Sequence, residues 1–124
     1  IHAGEADGPD SVKKALDMGA RRIGHGIAAA RDERLMDELA RYGIPLEVCI
    51  TSNVQTKAAP SLKDHPIRRL YDAGVHVTLN TDNRTVSATT LPREIALAKA
   101  AFGFTDQDVE RMEEYARGGA FLCL

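Results

Sequence analysis

Ile1-His2-Ala3-Gly4-Glu5 opens the chain and combines a metal-capable imidazole, two small residues and a carboxylate after one apolar residue. A histidine at the end of a strand can present a ring nitrogen to a metal, and a glutamate three residues later can reach the same pocket as an acid or base. A His-x-x-Glu pair alone is most often a surface histidine beside a solvated glutamate. Its meaning therefore depends on whether comparable residues recur at later strand ends.

Length and composition indicate one globular unit. The 124 residues include 44% hydrophobic and 27% charged side chains, with a formal net charge of -2. That balance argues against a general nucleic-acid or anionic-membrane surface, and no apolar run approaches the roughly 18 residues that span a bilayer. The two cysteines, Cys49 and Cys123, form no C-x-x-C pair and cannot build a disulfide framework, which favours a reducing, cytoplasmic setting.

Hydrophobic periodicity predicts strands that alternate with helices. The first residues form one strand candidate, and others cover residues 22–23, 44–50 and 75–79. The predicted helices cover residues 11–18, 32–42, 66–73, 91–101 and 106–117, with Thr105 as an N-cap candidate. This alternation is typical of parallel βα units rather than of a sandwich.

Chemistry-bearing residues follow each predicted strand. His2, His25, Ser52 and Asp82 lie about 23 to 30 residues apart, which is the period of a βα unit in a (β/α)8 barrel, where catalytic residues gather at the carboxyl ends of the strands. A whole barrel needs about 250 residues, so the pattern predicts half of one. A doubly wound open sheet is the alternative, but it would place a glycine-rich phosphate turn where Glu5 supplies a carboxylate that repels phosphate.

The strand ends together offer two imidazoles, a glutamate, an aspartate and neighbouring amide and hydroxyl groups. Histidine and aspartate are ordinary nitrogen and oxygen ligands of Zn²⁺, and a catalytic zinc keeps one position open for water. The metal lowers the pKa of that water toward about 7. The residues by themselves therefore favour metal-assisted hydrolysis.

Structural roles are open for several of these residues. His25 lies between two glycines and could be a packed histidine at a tight turn. Asp82 could serve an Asx-turn or a helix N-cap, and Ser52-Asn53 could cap a helix or brace a loop. Two more histidines are interpreted as structural, the first at the entry to a helix and the second within a strand: His65 and His76.

Four motifs follow one another along the chain: His2-Ala3-Gly4-Glu5, Arg22-Ile23-Gly24-His25-Gly26, Leu46-Glu47-Val48-Cys49 with Thr51-Ser52-Asn53, and Asn80-Thr81-Asp82-Asn83. Their order and approximate spacing resemble the C-terminal half of the adenosine deaminase family. The resemblance spans most of the chain. It implies an α/β fold in which residues 1–124 form a single unit, the C-terminal half of a (β/α)8 TIM-type barrel with its last four βα units and the C-terminal helices, and in which the N-terminal half is absent.

The resemblance implies a zinc enzyme with one Zn²⁺ per complete site that hydrolyses adenosine to inosine, in which a metal-bound hydroxide attacks purine C6 and ammonia is released. His2 and Asp82 match zinc ligands, and Asp82 also accepts a proton from the bound water. Glu5 matches the residue that donates a proton to purine N1. His25 matches the histidine that orients and stabilises the attacking hydroxide.

Two further positions are expected to bind substrate, Gly4 and Asn83. Many family members carry an aspartate where Asn83 lies, hydrogen-bonded to purine N7. An aspartate must be protonated to donate to that acceptor, whereas an amide always donates. Ile50 stands where proline is expected. The family's His-x-His is missing, so the chain supplies two of the protein zinc ligands.

Other functions are compatible with the same residues. The substrate could be another 6-aminopurine, such as adenine or aminofutalosine, because the residues that recognise the substrate are expected in the missing half. The expected partner is a small purine nucleoside, with no nucleic acid and no membrane. The chain could instead be a catalytically incomplete half-barrel, or a module that self-associates through its edge strands. The isolated 124 residues are expected to be inactive.

Overall fold

Four short parallel strands form the sheet at the centre of the molecule. The computed structural model describes residues 1–121, so the last three residues of the predicted 1–124 unit, including Cys123, lie outside the described part. The strands lie side by side in chain order: β1 (His2–Ala3), β2 (Ile23–His25), β3 (Leu46–Val48) and β4 (Val77–Leu79). Sequential parallel pairing with helical connections confirms the predicted half of a (β/α)8 barrel.

Helices connect and cover these strands. They are α1 (Pro9–Asp17), α2 (Glu33–Tyr42), α3 (Ile50–Gln55), α4 (Ile67–Asp72), α5 (Arg84–Ser87), α6 (Leu91–Phe102) and α7 (Asp106–Gly118), with a 3-10 turn at Ile27–Arg31. The five helices predicted from periodicity are confirmed, with ends that move by one or two residues. None of the helices in residues 1–121 combines the length and the apolar character that crossing a membrane requires.

Capping side chains account for several helix ends. The Asp32 carboxylate accepts the Leu35 N–H at 3.1 Å at the start of α2, and Gly43 ends that helix in the left-handed conformation. Thr105 and Asp108 exchange hydrogen bonds at the start of α7, which confirms Thr105 as the predicted N-cap.

The predicted strand at residues 44–50 is too long. Only Leu46–Val48 pairs with its neighbours, and Ile50 begins α3, so the polar motif that follows lies on a helix. A continuous apolar run does not distinguish a buried strand from the buried start of a helix. His76, expected within a strand, precedes β4 and stacks on Tyr115 of α7 with ring centroids 3.9 Å apart.

The two faces of the sheet carry different residues. Alternate strand residues pack against the surrounding helices in a core that includes Val12, Ile23, Leu35, Leu39, Leu46, Val48, Ile67, Leu70 and Val77. The residues between them pair across the sheet in one row, His2 with Gly24, Gly24 with Glu47 and Glu47 with Thr78. Since side chains alternate along a strand, this row forms the opposite face, which corresponds to the inside of a barrel.

Candidate functional site

Two carboxylates converge on one ring nitrogen of His25. Its Nε2 lies 3.4 Å from Glu5 Oε2 and 4.0 Å from Asp82 Oδ2. Glu5 follows β1, His25 ends β2 and Asp82 follows β4, so the parallel sheet carries all three to its carboxyl edge. The structure therefore brings together the predicted catalytic residues, whose chemical roles stay predictions.

His2 lies beside this group on the inner face of the sheet. Its ring centroid is 5.3 Å from that of His25, and it lines, with Asp82, an open cavity of about 280 Å³. A Cβ on Gly24 would lie 3.2 Å from His2 Cγ, a tight contact, so the glycine leaves room for the His2 ring. The two predicted zinc ligands thus face one cavity.

These two side chains are of the chemical types that bind zinc. An imidazole nitrogen and a carboxylate oxygen are both usual zinc donors. Within residues 1–121, no group of three or more His, Cys, Asp or Glu side chains is arranged to hold a metal ion. Cys49 lines the same cavity, and burial, with the nearby charge of Asp82, raises the pKa of its thiol to about 12.

His25 and Asp82 are non-glycine residues in the left-handed region, with φ of 65° and 56°. That conformation costs an L-residue about 1–2 kcal/mol, and such strain is frequent at functional sites. His25 ends β2, and Asp82 follows β4. Two of the three predicted catalytic residues therefore carry local strain, as do Lys57 and Ala88 outside the site.

Gly4 makes the turn between His2 and Glu5. Its φ is 67°, and a Cβ there would lie 2.5 Å from Val12 Cγ2. Its N–H donates to Ser11 Oγ at 2.8 Å, so that donor is already engaged within the protein. The role of Gly4 in the structure is conformational, and its predicted contact with substrate is untested.

Helix α3 and its C-cap residue supply side chains that hold the two carboxylates. Ser52 Oγ donates to Asp82 Oδ2 at 2.9 Å, and Thr56 Oγ1 donates to Glu5 Oε1 at 3.2 Å. The first contact fits the bracing role considered for Ser52, whereas sequence analysis missed Thr56. The signal that could have found Thr56 is its spacing of four residues from Ser52. Residues at this spacing lie on one face of a helix, but the helix is recognised only when the strand is known to end before Ile50.

Two buried polar side chains connect His25 to the start of α4. Asn53 Nδ2 lies 3.0 Å from His25 Nδ1, and Asn53 Oδ1 lies 3.2 Å from His65 Nε2. The Ile67 N–H donates to His65 Nδ1 at 3.2 Å, which confirms His65 as a helix-entry residue. Burial lowers the pKa of His65 to about 4, so this imidazole is neutral near pH 7.

A buried glutamate on α6 accepts hydrogen bonds from the start of α3. Glu94, 1% exposed, accepts hydrogen bonds from the Thr51 N–H at 3.3 Å, from the Thr51 hydroxyl and from Thr89 Oγ1 at 2.9 Å. Because Thr51 immediately precedes Ser52, these bonds hold the first turn of α3 in place. Sequence analysis missed Glu94.

Asn83 caps α5. Its Oδ1 accepts the N–H groups of Thr85 and Val86 at 3.1 and 3.0 Å. The amide is planar, so its NH₂ group lies on the other branch, where it can act as a donor. The N-cap role considered for Asp82 thus belongs to Asn83, and the predicted contact of Asn83 with a purine is untested.

The chain is similar to known proteins over nearly its whole length. The sequence profile described as adenosine deaminase matches residues 1–123. Over 123 residues the chain is 46% identical to an adenine deaminase of Sinorhizobium medicae, covering 98% of this chain and 38% of that protein. Over 122 residues it is 45% identical to an adenosine deaminase of Haemophilus ducreyi, covering 98% and 36%.

The structural comparison gives the same coverage. The chain superposes with a TM-score of 0.89 on a crystal structure of an amidohydrolase from Burkholderia ambifaria with bound Zn, at 25% identity, over 98% of this chain and 35% of that one. The chain therefore spans little more than a third of the length of the proteins it matches.

Proposed function

The chain belongs to the adenosine deaminase family, and on that premise we propose that it forms one side of a zinc-dependent site that hydrolyses the 6-amino group from a purine. Family membership supports a hydrolase that acts on C–N bonds. The substrate we propose is adenosine, converted to inosine with release of ammonia. The observation that carries the proposal is the convergence of Glu5 and Asp82 on Nε2 of His25.

His2 and Asp82 are the residues of this chain that would hold the zinc ion. Bound zinc would act as a Lewis acid that makes a water molecule nucleophilic near neutral pH. The match to an amidohydrolase structure with bound Zn supports this assignment. The remaining ligands would come from protein beyond the described residues.

The carboxylates have separate tasks in the proposed reaction. Glu5 donates a proton to N1 of the purine, which withdraws electron density from C6 and makes that carbon easier to attack. Thr56 holds Oε1 of Glu5, and Oε2 faces His25. Asp82 accepts a proton from the attacking water while Ser52 holds one of its oxygens, and His25 orients that water.

A graft tests whether these residues are competent. Residues 1–123 replace the matching segment of the Haemophilus ducreyi relative, and zinc content and ammonia release from adenosine are measured. We expect zinc near one per chain and turnover. Glu5→Gln in the graft should abolish turnover but keep the zinc, whereas Glu114→Gln on the exposed face of α7 should change neither. A folded, zinc-loaded graft without turnover would contradict the proposal.

Adenine is the second candidate substrate, because a relative at 46% identity is an adenine deaminase. A second graft into the Sinorhizobium medicae relative separates the two substrates. If both grafts prefer adenosine, residues 1–123 help to select it, and adenosine stands as the substrate. If both prefer adenine, adenosine is the wrong substrate for this chain. If preference follows the recipient protein, this chain does not select between them, and the adenosine proposal loses its support.

A further inference from the structure

A backbone group fixes the protonation of His65. The Ile67 N–H can only donate, and it points at His65 Nδ1, which must therefore offer a lone pair. With no proton on Nδ1, the buried His65 ring is neutral and its single ring proton lies on Nε2. The atom that faces Nε2 at 3.2 Å must then be an acceptor, and it is Asn53 Oδ1.

The orientation of Asn53 follows from that contact. With Oδ1 committed to His65, the NH₂ group occupies the other branch of the amide and donates to His25 Nδ1 at 3.0 Å. Turning the amide over would set its NH₂ group against the His65 Nε2–H and its oxygen against His25 Nδ1. Asn53 is fully buried, so no water is at hand to relieve two facing donors.

We propose that Asn53, oriented by His65, is a positioning residue that holds His25 in the tautomer whose proton lies on Nε2. A neutral imidazole that accepts at Nδ1 carries its proton on the other nitrogen. Nε2 lies 3.4 Å from Glu5 Oε2 and 4.0 Å from Asp82 Oδ2, two carboxylate oxygens that favour a proton over a lone pair on that nitrogen.

This tautomer gives His25 a chemical role in the proposed reaction, and that role rests on the function proposed above. With hydrogen on Nε2, His25 donates a hydrogen bond to oxygen in the site and cannot take up a proton through the same atom. The proton released by the attacking water then has Asp82 as its acceptor. Two residues outside the expected catalytic set, Asn53 and His65, thereby decide whether His25 acts as a donor or as a base.

The tautomer can be measured without zinc, substrate or turnover. Histidine is labelled with ¹⁵N in the metal-free 124-residue chain, and two-bond ¹H–¹⁵N correlations are recorded well above the ordinary pKa of histidine. His25→Gln identifies the signals of His25. We expect the Nε2–H form of His25 to exceed the other by at least about tenfold, because one hydrogen bond shifts an equilibrium by roughly that factor. A proton on Nδ1 would overturn the proposal.

Asn53→Asp is a more direct test because it keeps the shape of the side chain. It replaces the NH₂ group that donates to His25 Nδ1 with an oxygen that can only accept. We expect a proton to appear on His25 Nδ1. The matched control is Asn80→Asp, which adds the same charge to the cavity wall at a residue whose amide bonds Thr78 instead. A His25 spectrum that is unchanged in the folded Asn53→Asp variant, or changed equally by the control, would overturn the proposal.

Different results would contradict the proposed function and the proposed tautomer. If Asn53→Asp does not fold, the wild-type spectrum still decides the tautomer. A graft without deaminase activity would contradict the proposed function and leave the measured tautomer standing. An active graft whose His25 carries hydrogen on Nδ1 would do the reverse.

Discussion

Ser52 donates a hydrogen bond of 2.9 Å to Oδ2 of Asp82, across 30 residues of sequence and between two different strand ends. Second partners of this kind orient a ligand carboxylate, and their loss typically costs about 10–100-fold in metal affinity. In the grafted enzyme, Ser52→Ala should therefore weaken zinc binding by at least about tenfold. A competition titration with a chelator measures this. Ser61→Ala, which removes a hydroxyl bonded to Asp64 outside the site, should leave the affinity unchanged.

Removing the charge of Glu94 should destabilise the fold. Its carboxylate accepts three hydrogen bonds while 1% exposed, and a glutamine would turn an NH₂ group toward at least one of these donors. We expect Glu94→Gln to lower the free energy of unfolding by about 1.5–3 kcal/mol. Urea denaturation gives the value. The same change at the exposed Glu110 should cost less than about 0.5 kcal/mol, and equal losses at both sites would refute the role given to Glu94.

The left-handed backbone at Asp82 predicts an unusual order of stabilities. At φ 56° an alanine is strained and a glycine is not, so Asp82→Gly should be more stable than Asp82→Ala by about 0.5–1 kcal/mol. Asp37, exposed in the middle of α2, is the matched control, where glycine should be less stable than alanine by about 1 kcal/mol. Thermal or urea unfolding of the four variants tests both signs.

His65 makes stability depend on pH in a defined window. Its pKa is about 4 in the fold and about 6.5 when unfolded, so between these values the unfolded chain binds more protons. Its contribution is fully present above pH 6.5 and is lost as the pH falls through 4, amounting to about 3 kcal/mol.

Urea denaturation across this window measures the slope. His65→Gln should flatten it strongly, because the variant has no imidazole to titrate. His76→Gln is the control. Burial also lowers the pKa of His76, but that ring is only partly buried, so its removal should flatten the slope less. Equal slopes in wild type and His65→Gln would show that His65 is not the titrating group.

The isolated 124-residue chain should release no ammonia from adenosine above background. It supplies two proposed zinc ligands, His2 and Asp82, whereas catalytic zinc sites use about three protein ligands. Zinc content per chain and ammonia release, measured on the same purified sample, check this. Clear turnover would show that the chain assembles a working site by itself, and sedimentation would then reveal whether two copies associate, as edge strands such as β1 and β4 allow.

Much of the fold could be predicted because its signals are local. Helices with a clear apolar period and capping residues, such as α2 and α7, were found within one or two residues of their ends. The strand predicted before α3 is too long because a continuous apolar run has no periodicity that separates a strand from a helix. The candidate residues at strand ends followed from the repeat of βα units, and their convergence on His25 follows from parallel pairing.

The sequence by itself determined the order of βα units, the half-barrel and the residues that reach its carboxyl edge, because periodicity, caps and spacing are properties of neighbouring residues. Only the tertiary structure decided that Ser52 holds Asp82 and that Asn53 lies between His25 and His65. These bonds join residues 12 to 30 positions apart, and their direction depends on burial, which removes water as an alternative partner.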